Sequence, residues 1–131
     1  MENYVEKHDK LMRYLGMSID IARQGYAKVS MPLSENIKNG MGVAHGGAIF
    51  SLADVAFGAA VNAEAENCVV SLFTTIEFLR PGKTGPLTAE ANVTRAGQHV
   101  QSYDVKVFDG SGELVAKCMA SGFQTDIPLS Q

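Results

Sequence analysis

The sequence predicts an α+β fold in which an antiparallel sheet curls around one long central helix. Three observations carry this expectation. A stretch from about Gly46 to Ala63 reads as a helix that is apolar nearly all round, so it needs cover on most sides. Everything after it reads as long strands. The strands are joined by turns rich in glycine, which favours antiparallel neighbours.

The elements follow in order. Residues 3–14 read as a short amphipathic helix with Tyr4, Val5, Leu11, Met12 and Leu15 as apolar positions, ended by Gly16. This N-terminal helical region is taken as residues 1–15. "MSIDIARQGYAKVSMPL" then reads as two short strands around Arg23-Gln24-Gly25, with Val29, Met31 and Leu33 alternating against Lys28 and Ser30. A polar loop from Ser34 to Gly42 leads into the central helix, residues 46–63. Ile49, Phe50, Leu52, Val55, Phe57 and Val61 do not confine themselves to one stripe of it. "VVSLFTTIEFLRP" is a long strand closed by Pro81-Gly82. In "LTAEANVTR", Leu87, Ala89, Ala91 and Val93 alternate inward. "VQSYDVKVFD" puts Tyr103, Val105 and Val107 on one face. Asp109-Gly110-Ser111-Gly112 is a hairpin turn, and "ELVAKCMASGFQT" is the last strand.

A chain of 131 residues has the length of a single domain, so residues 1–131 are expected to form one. The net charge of −3 argues against a nucleic-acid partner, which calls for a basic face. The start, "MENYVEKHDKLMRYLG", is charged throughout and has no apolar core of a signal peptide. The longest apolar run is broken by Ser51, Asp54 and Asn62, so no membrane span is expected. Cys68 and Cys118 form no motif and sit in apolar surroundings, which predicts free thiols and suits a reducing cytoplasm. His8, His45 and His99 are scattered without metal-ligand spacing.

One acid, Asp54, interrupts the central helix and is expected to be buried there. Asn39 and His45-Gly46-Gly47 precede it. Each residue has a plain reading: a turn for Asn39, a structural role for His45, capping or packing for the glycines, and a buried pairing partner for Asp54. The first helical turn has another property. Its unpaired N–H groups and the positive end of the helix dipole suit a developing oxyanion. Asp54 lies eight residues beyond Gly46, about 12 Å along the helix axis. The two cannot serve one carbonyl from one chain, but a dyad could pair the Asp54 of one copy with the Gly46 of another.

Together, "NGMGVAHGGAIFSLADVAFGAA" and "IEFLRPGKTGPLTAEANV" resemble the hotdog-fold acyl-CoA thioesterases, and more narrowly their phenylacetate-degradation (PaaI-like) branch. The resemblance spans about residues 10–125. HGG alone is not distinctive; HGG, an Asp at this spacing and a strand ending in FLRP are distinctive in combination. The resemblance implies a hotdog fold and thioester hydrolysis. It implies Asp54 as general base or nucleophile and the Gly46 N–H as the group polarising the carbonyl. Asn39 would orient the water or the carboxylate region, and His45 would support the carbonyl site. Ser71 aligns with a water-positioning serine once the intervening loop is allowed one residue of length difference.

The substrate so implied is an acyl-CoA, with coenzyme A as part of the substrate and no metal or organic cofactor. Arg80 and Lys83 in "RPGK", and Arg95, are candidates to meet the coenzyme A phosphates. Phe50, Phe57 and Phe73 are candidates for the acyl pocket. A homodimer would form the site, and two dimers a tetramer. Alternatives are a hotdog hydratase or dehydratase, a non-catalytic acyl-CoA-binding protein, and a structural module.

Overall fold

A computed structural model describes residues 3–129. Two short helices, α1 (Tyr4–His8) and α2 (Lys10–Tyr14), precede a hairpin of β1 (Ser18–Arg23) and β2 (Tyr26–Met31). A 3-10 turn at Glu35–Ile37 leads to α3 (Gly46–Val61). Four long strands follow: β3 (Asn67–Phe78), β4 (Leu87–Ala96), β5 (Val100–Phe108) and β6 (Leu114–Pro128). All six strands form one antiparallel sheet in the order β1-β2-β4-β5-β6-β3.

α3 lies in the hollow of this sheet, and small residues make that possible. The inner face carries Ala27, Ala89, Ala91, Ala116 and Ala120, and the helix meets it with Ala53, Ala56, Ala59 and Ala60, all buried. Short side chains on both surfaces let helix and sheet approach closely. Leu52, Met31, Leu87, Val29 and Val105 then fill the remaining volume at full burial. Phe57 is buried and meets the Tyr103 ring edge-on, with centroids 5.4 Å apart at 82°. Register shifts between Ile19/Ile21, Val93/Arg95, Asn67/Val69 and Ser71/Phe73 bend the strands, as bulges do, and help the sheet curl.

The two expected hairpins are present. Gly25 turns β1 into β2 at φ 88°, and Gly112 closes the later turn at φ 89°. There Asp109 accepts from the N–H groups of Ser111 (3.0 Å) and Glu113 (3.1 Å).

Four expectations need correcting. The helix expected over residues 3–14 is two helices. Asp9 closes the first and caps the second, its side chain accepting from the Met12 N–H at 2.9 Å. A good N-cap inside a helical pattern restarts the helix there. The strand expected to run into Arg80 ends at Phe78, and the Leu79 and Arg80 N–H groups instead share the Val115 carbonyl. Val93 shares the inner face with Tyr103 but lies at the rim, 40% exposed. Finally, α3 is not buried all round. Gly47, Phe50, Ser51, Asp54 and Gly58 recur at helical spacing and none of them is buried. They form one open stripe.

The end of α3 is tied to the sheet by Asn62. Its Nδ2 donates to the carbonyls of Gly58 (3.1 Å) and Val69 (3.3 Å), and its Oδ1 accepts from the Val69 N–H (2.8 Å). The side chain is buried, so its loss leaves polar groups of Val69 without a partner. Asn62→Ala is expected to cost about 2–3 kcal/mol of unfolding free energy, read as a lower midpoint in urea denaturation.

Candidate active site

The start of α3 is shaped by His45. Its φ and ψ of −65° and 137° place it as the N-cap, and its Nδ1 accepts from the Gly47 N–H at 2.8 Å. That bond puts the proton of the neutral imidazole on Nε2. The His45 carbonyl accepts from the N–H groups of Ala48 and Ile49, each at 3.0 Å. Three of the first four helical amides are thereby occupied. The Gly46 N–H has no partner among the described residues. It sits at the positive end of the helix dipole, where an anionic oxygen is favoured.

Gly46 lines a cleft of about 340 Å³ together with Asn39, Ile49, Phe78 and the segment Leu79 to Gly82. Phe78 packs so near that a Cβ on Gly46 would lie 3.4 Å from its ring. Asn39 serves a turn: its Oδ1 accepts from the N–H groups of Met41 (2.9 Å) and Val43 (3.4 Å). Its Nδ2 has no partner among the described residues and is the polar group it has left. Arg80 borders the same cleft and pairs with Glu113, Nε to Oε2 3.5 Å, both well exposed. His45, Gly47 and Ser51 line a second groove of about 260 Å³ with Leu15 and Ile37.

Asp54 stands apart from both clefts. It was expected to be buried, but it lies on the open stripe of α3 and is exposed in the single chain. Helical geometry explains this: Gly47, Phe50, Ser51 and Asp54 share one face, and the alanines face the sheet. No salt bridge and no side-chain hydrogen bond engages Asp54 among the described residues. Its proton affinity is nevertheless raised above the usual carboxylate range. Partial desolvation by the flanking protein is the larger cause, and the like charge of Asp9 is the second. The carboxyl is open in front and crowded at its sides. Burial, and then the Asp54 charge, push the Cys118 thiol up to about 11. Both cysteines are free, Cys118 buried and Cys68 half-buried.

Ser71 is exposed in β3 opposite Gly122. Opposed residues share a sheet face, and Gly122 faces Phe57, so Ser71 belongs to the helix side. Its hydroxyl has no hydrogen bond among the described residues. Lys83 is exposed and Arg95 lies at the far end of β4, and neither borders the clefts. Of the three aromatic candidates, Phe57 belongs to the core, Phe50 to the open stripe and Phe73 to the exposed part of β3. One chain thus gathers Asn39 and Gly46 in one cleft and sets His45 on its flank, and it leaves Asp54 and Ser71 elsewhere. Phe78 and Asp9 were not visible as site residues, because only the folded chain brings them to Gly46 and Asp54. Among the described residues no three His, Cys, Asp or Glu side chains converge as metal ligands, and no helix is long and apolar enough to cross a membrane.

Comparison with known proteins agrees with this architecture. The family model described as Thioesterase superfamily matches residues 41–116, more than half of the chain. Escherichia coli acyl-coenzyme A thioesterase PaaI is 38% identical over 111 residues, spanning 84% of this chain and 79% of the relative. The solved E. coli PaaI structure superposes with a TM-score of 0.89 at 33% identity, covering 95% of this chain and 90% of that one. The 1,4-dihydroxy-2-naphthoyl-CoA hydrolase of Listeria monocytogenes is 28% identical over 112 residues, 82% of this chain and 91% of the relative. The fold is the hotdog fold, and the chain belongs to the thioesterase superfamily, in its PaaI-like group. It is a thioester hydrolase.

Two outcomes follow from this geometry. Gly46 is the first helical residue, where proline is accepted, and His45 already has the extended backbone that precedes a proline. Gly46→Pro is therefore expected to keep the fold by circular dichroism while removing the free N–H, lowering kcat for thioester hydrolysis about 10²–10³-fold. Asp54 titrates upward on folding, so the chain loses stability as pH climbs from the ordinary carboxylate range through the raised value. Asp54→Asn removes that loss and is expected to raise Tm at neutral pH, and not at pH 3.

Proposed function

We propose that this protein hydrolyses acyl-CoA thioesters to the free acid and coenzyme A at sites shared by two copies of the chain. The observation that carries this is the division of labour along α3. Its one first-turn amide without a partner among the described residues, at Gly46, lies eight residues from its one carboxylate, Asp54, which likewise has no partner among them. About 12 Å of helix separates them, too far for one carbonyl.

The edge of the sheet supplies the means of pairing. β3 has a neighbour on one side only, and Val70, Leu72, Phe73 and Phe78 are all 44–57% exposed along it. A long apolar edge strand is a template for a second chain. Gly46 adjoins Phe78 at one end of β3. Asp54 lies about two turns further along α3. Antiparallel pairing of two β3 edges about a dyad sets the two α3 helices antiparallel as well, which directs the Gly46 end of one copy along the partner's helix toward its Asp54. Two such dimers complete a tetramer, and the free cysteines suit a cytoplasmic enzyme.

In the reaction, water attacks the thioester carbon while Asp54 takes its proton. The oxygen gains charge against the Gly46 N–H. Collapse breaks the C–S bond, the thiolate of coenzyme A departs, and the proton held by Asp54 returns to it. The raised proton affinity of Asp54 makes it a better base than an ordinary carboxylate. His45 fixes the helix start and offers Nε2–H to the carbonyl side. Asn39 holds the cleft wall and offers its Nδ2. Ser71 positions the water. Arg80, released from Glu113, meets a coenzyme A phosphate, with Lys83 beyond it. The scheme draws only on these groups and on the substrate, with no metal or organic cofactor.

Mixing two inactive variants tests the shared site. Asp54→Asn alone is expected to abolish thiol release from acyl-CoA with the fold intact. Mixed in equal amounts with Gly46→Pro after dissociation and reassembly, it is expected to recover about one quarter of wild-type activity, since half the dimers then hold one intact site. No recovery would sink the shared site, and loss of enoyl absorbance without free thiol would point to a hydratase.

A further inference from the structure

We propose that Asp9, carried by the N-terminal helices, is a positioning residue of the reaction: its carboxylate, standing over the Asp54 stretch of α3, sets how readily Asp54 takes up a proton. The inference rests on Asp54 being the base. Three contacts place the N-terminal arm. The Asn3 Nδ2 donates to the Ala59 carbonyl at 3.1 Å. A Cβ on Gly58 would lie 3.6 Å from Val5 Cγ2. Met12 is buried at 2% exposure. As α1 advances from Asn3 to Val5, its contacts step back along α3 from Ala59 to Gly58, so the two helices run antiparallel. Asp9 is four residues past Val5, and Asp54 four before Gly58. Each step covers about 6 Å of helix, so the arm brings Asp9 to Asp54.

Asp9 is also held there. Its N–H donates to the Val5 carbonyl at 2.8 Å, and its Oδ1 accepts from the Met12 N–H at 2.9 Å. A carboxylate fixed by both helices cannot swing away from a like charge. Asp9 from the arm is the charged group that acts on Asp54; Cys118 of β6 feels the Asp54 charge but stays a neutral thiol and exerts none in return. Lys7, His8 and Lys10 flank Asp9, but all three are exposed and none takes part in either salt bridge of the described residues. Arg13 of α2 is exposed too and turns to the carbonyls of Glu6 (3.4 Å) and Lys7 (2.6 Å), so among the described residues no ion pair offsets the repulsion. A base that binds its proton more tightly draws it more strongly from water. The arm thus raises the strength of the base from outside the cleft.

Asp9→Asn tests this, because asparagine caps a helix as well as aspartate does and carries no charge. The acid limb of the pH profile of kcat/KM for thiol release is expected to move to lower pH, with a lower plateau. Asp9→Glu, which restores the charge, is expected to return the limb toward the wild-type position. Asp9→Ser, a second capping variant, covers the case in which Asp9→Asn fails to fold. A carboxyl ¹³C titration of Asp54 reads the same shift without turnover. An acid limb and an Asp54 titration both unchanged in the folded uncharged variants would overturn the proposal. If Asp54→Asn instead kept its thiol release, the base assignment would fail, while the ¹³C titration would still show whether Asp9 acts on Asp54.

Discussion

How closely the central helix can approach the sheet governs everything else in this molecule. Alanines on both surfaces allow a sixteen-residue helix to sink into the curl until Leu52 and Ala56 are wholly buried. Larger side chains there would hold the helix off and open the sheet. Once sunk, the helix can expose only the stripe that points away from the sheet, and its N-terminus must emerge beside the last residues of β3. The positions of the bare amide and of the lone carboxylate are therefore consequences of core packing.

The N-cap then decides which amide is available. A serine or aspartate cap would also satisfy one donor. The imidazole of His45 does so and keeps a second nitrogen with a proton of its own. Gly46 is left free, and the absence of a side chain on it makes room for Phe78. The cleft thus sets an apolar wall against the free Gly46 amide. Asn39 is drawn into the same economy, with its carbonyl oxygen bent back on the loop and its amide nitrogen left over.

Much of this was legible in the residues. Alternation in β4 and β5, the Asp109–Gly112 turn and the break at Gly25 defined most strands, and HGG with a later Asp defined the family. The errors have physical causes. Asp9 fits a helical pattern by spacing, and only its capping chemistry reveals the restart. The strand ending in FLRP loses its last residues because Val115 captures two amides there. Hydropathy alone predicts a buried Asp54 because it treats alanine as apolar everywhere. In this helix the alanines gather on the sheet side, and glycine, serine and Asp54 gather on the other. The distribution of residues between the site's clefts, and the meeting of Asp9 with Asp54, depend on tertiary docking across more than forty residues. No local pattern carries that information.

Cys118 shows another consequence of the packed sheet. Its thiol is buried on the inner face, and a thiolate there would be a nucleophile inside the core of a thioester hydrolase. Burial, and then the negative charge of Asp54, push the thiol up to about 11, so it stays protonated at pH 7. With the proton held on sulfur, the thiol remains an inert side chain of the core.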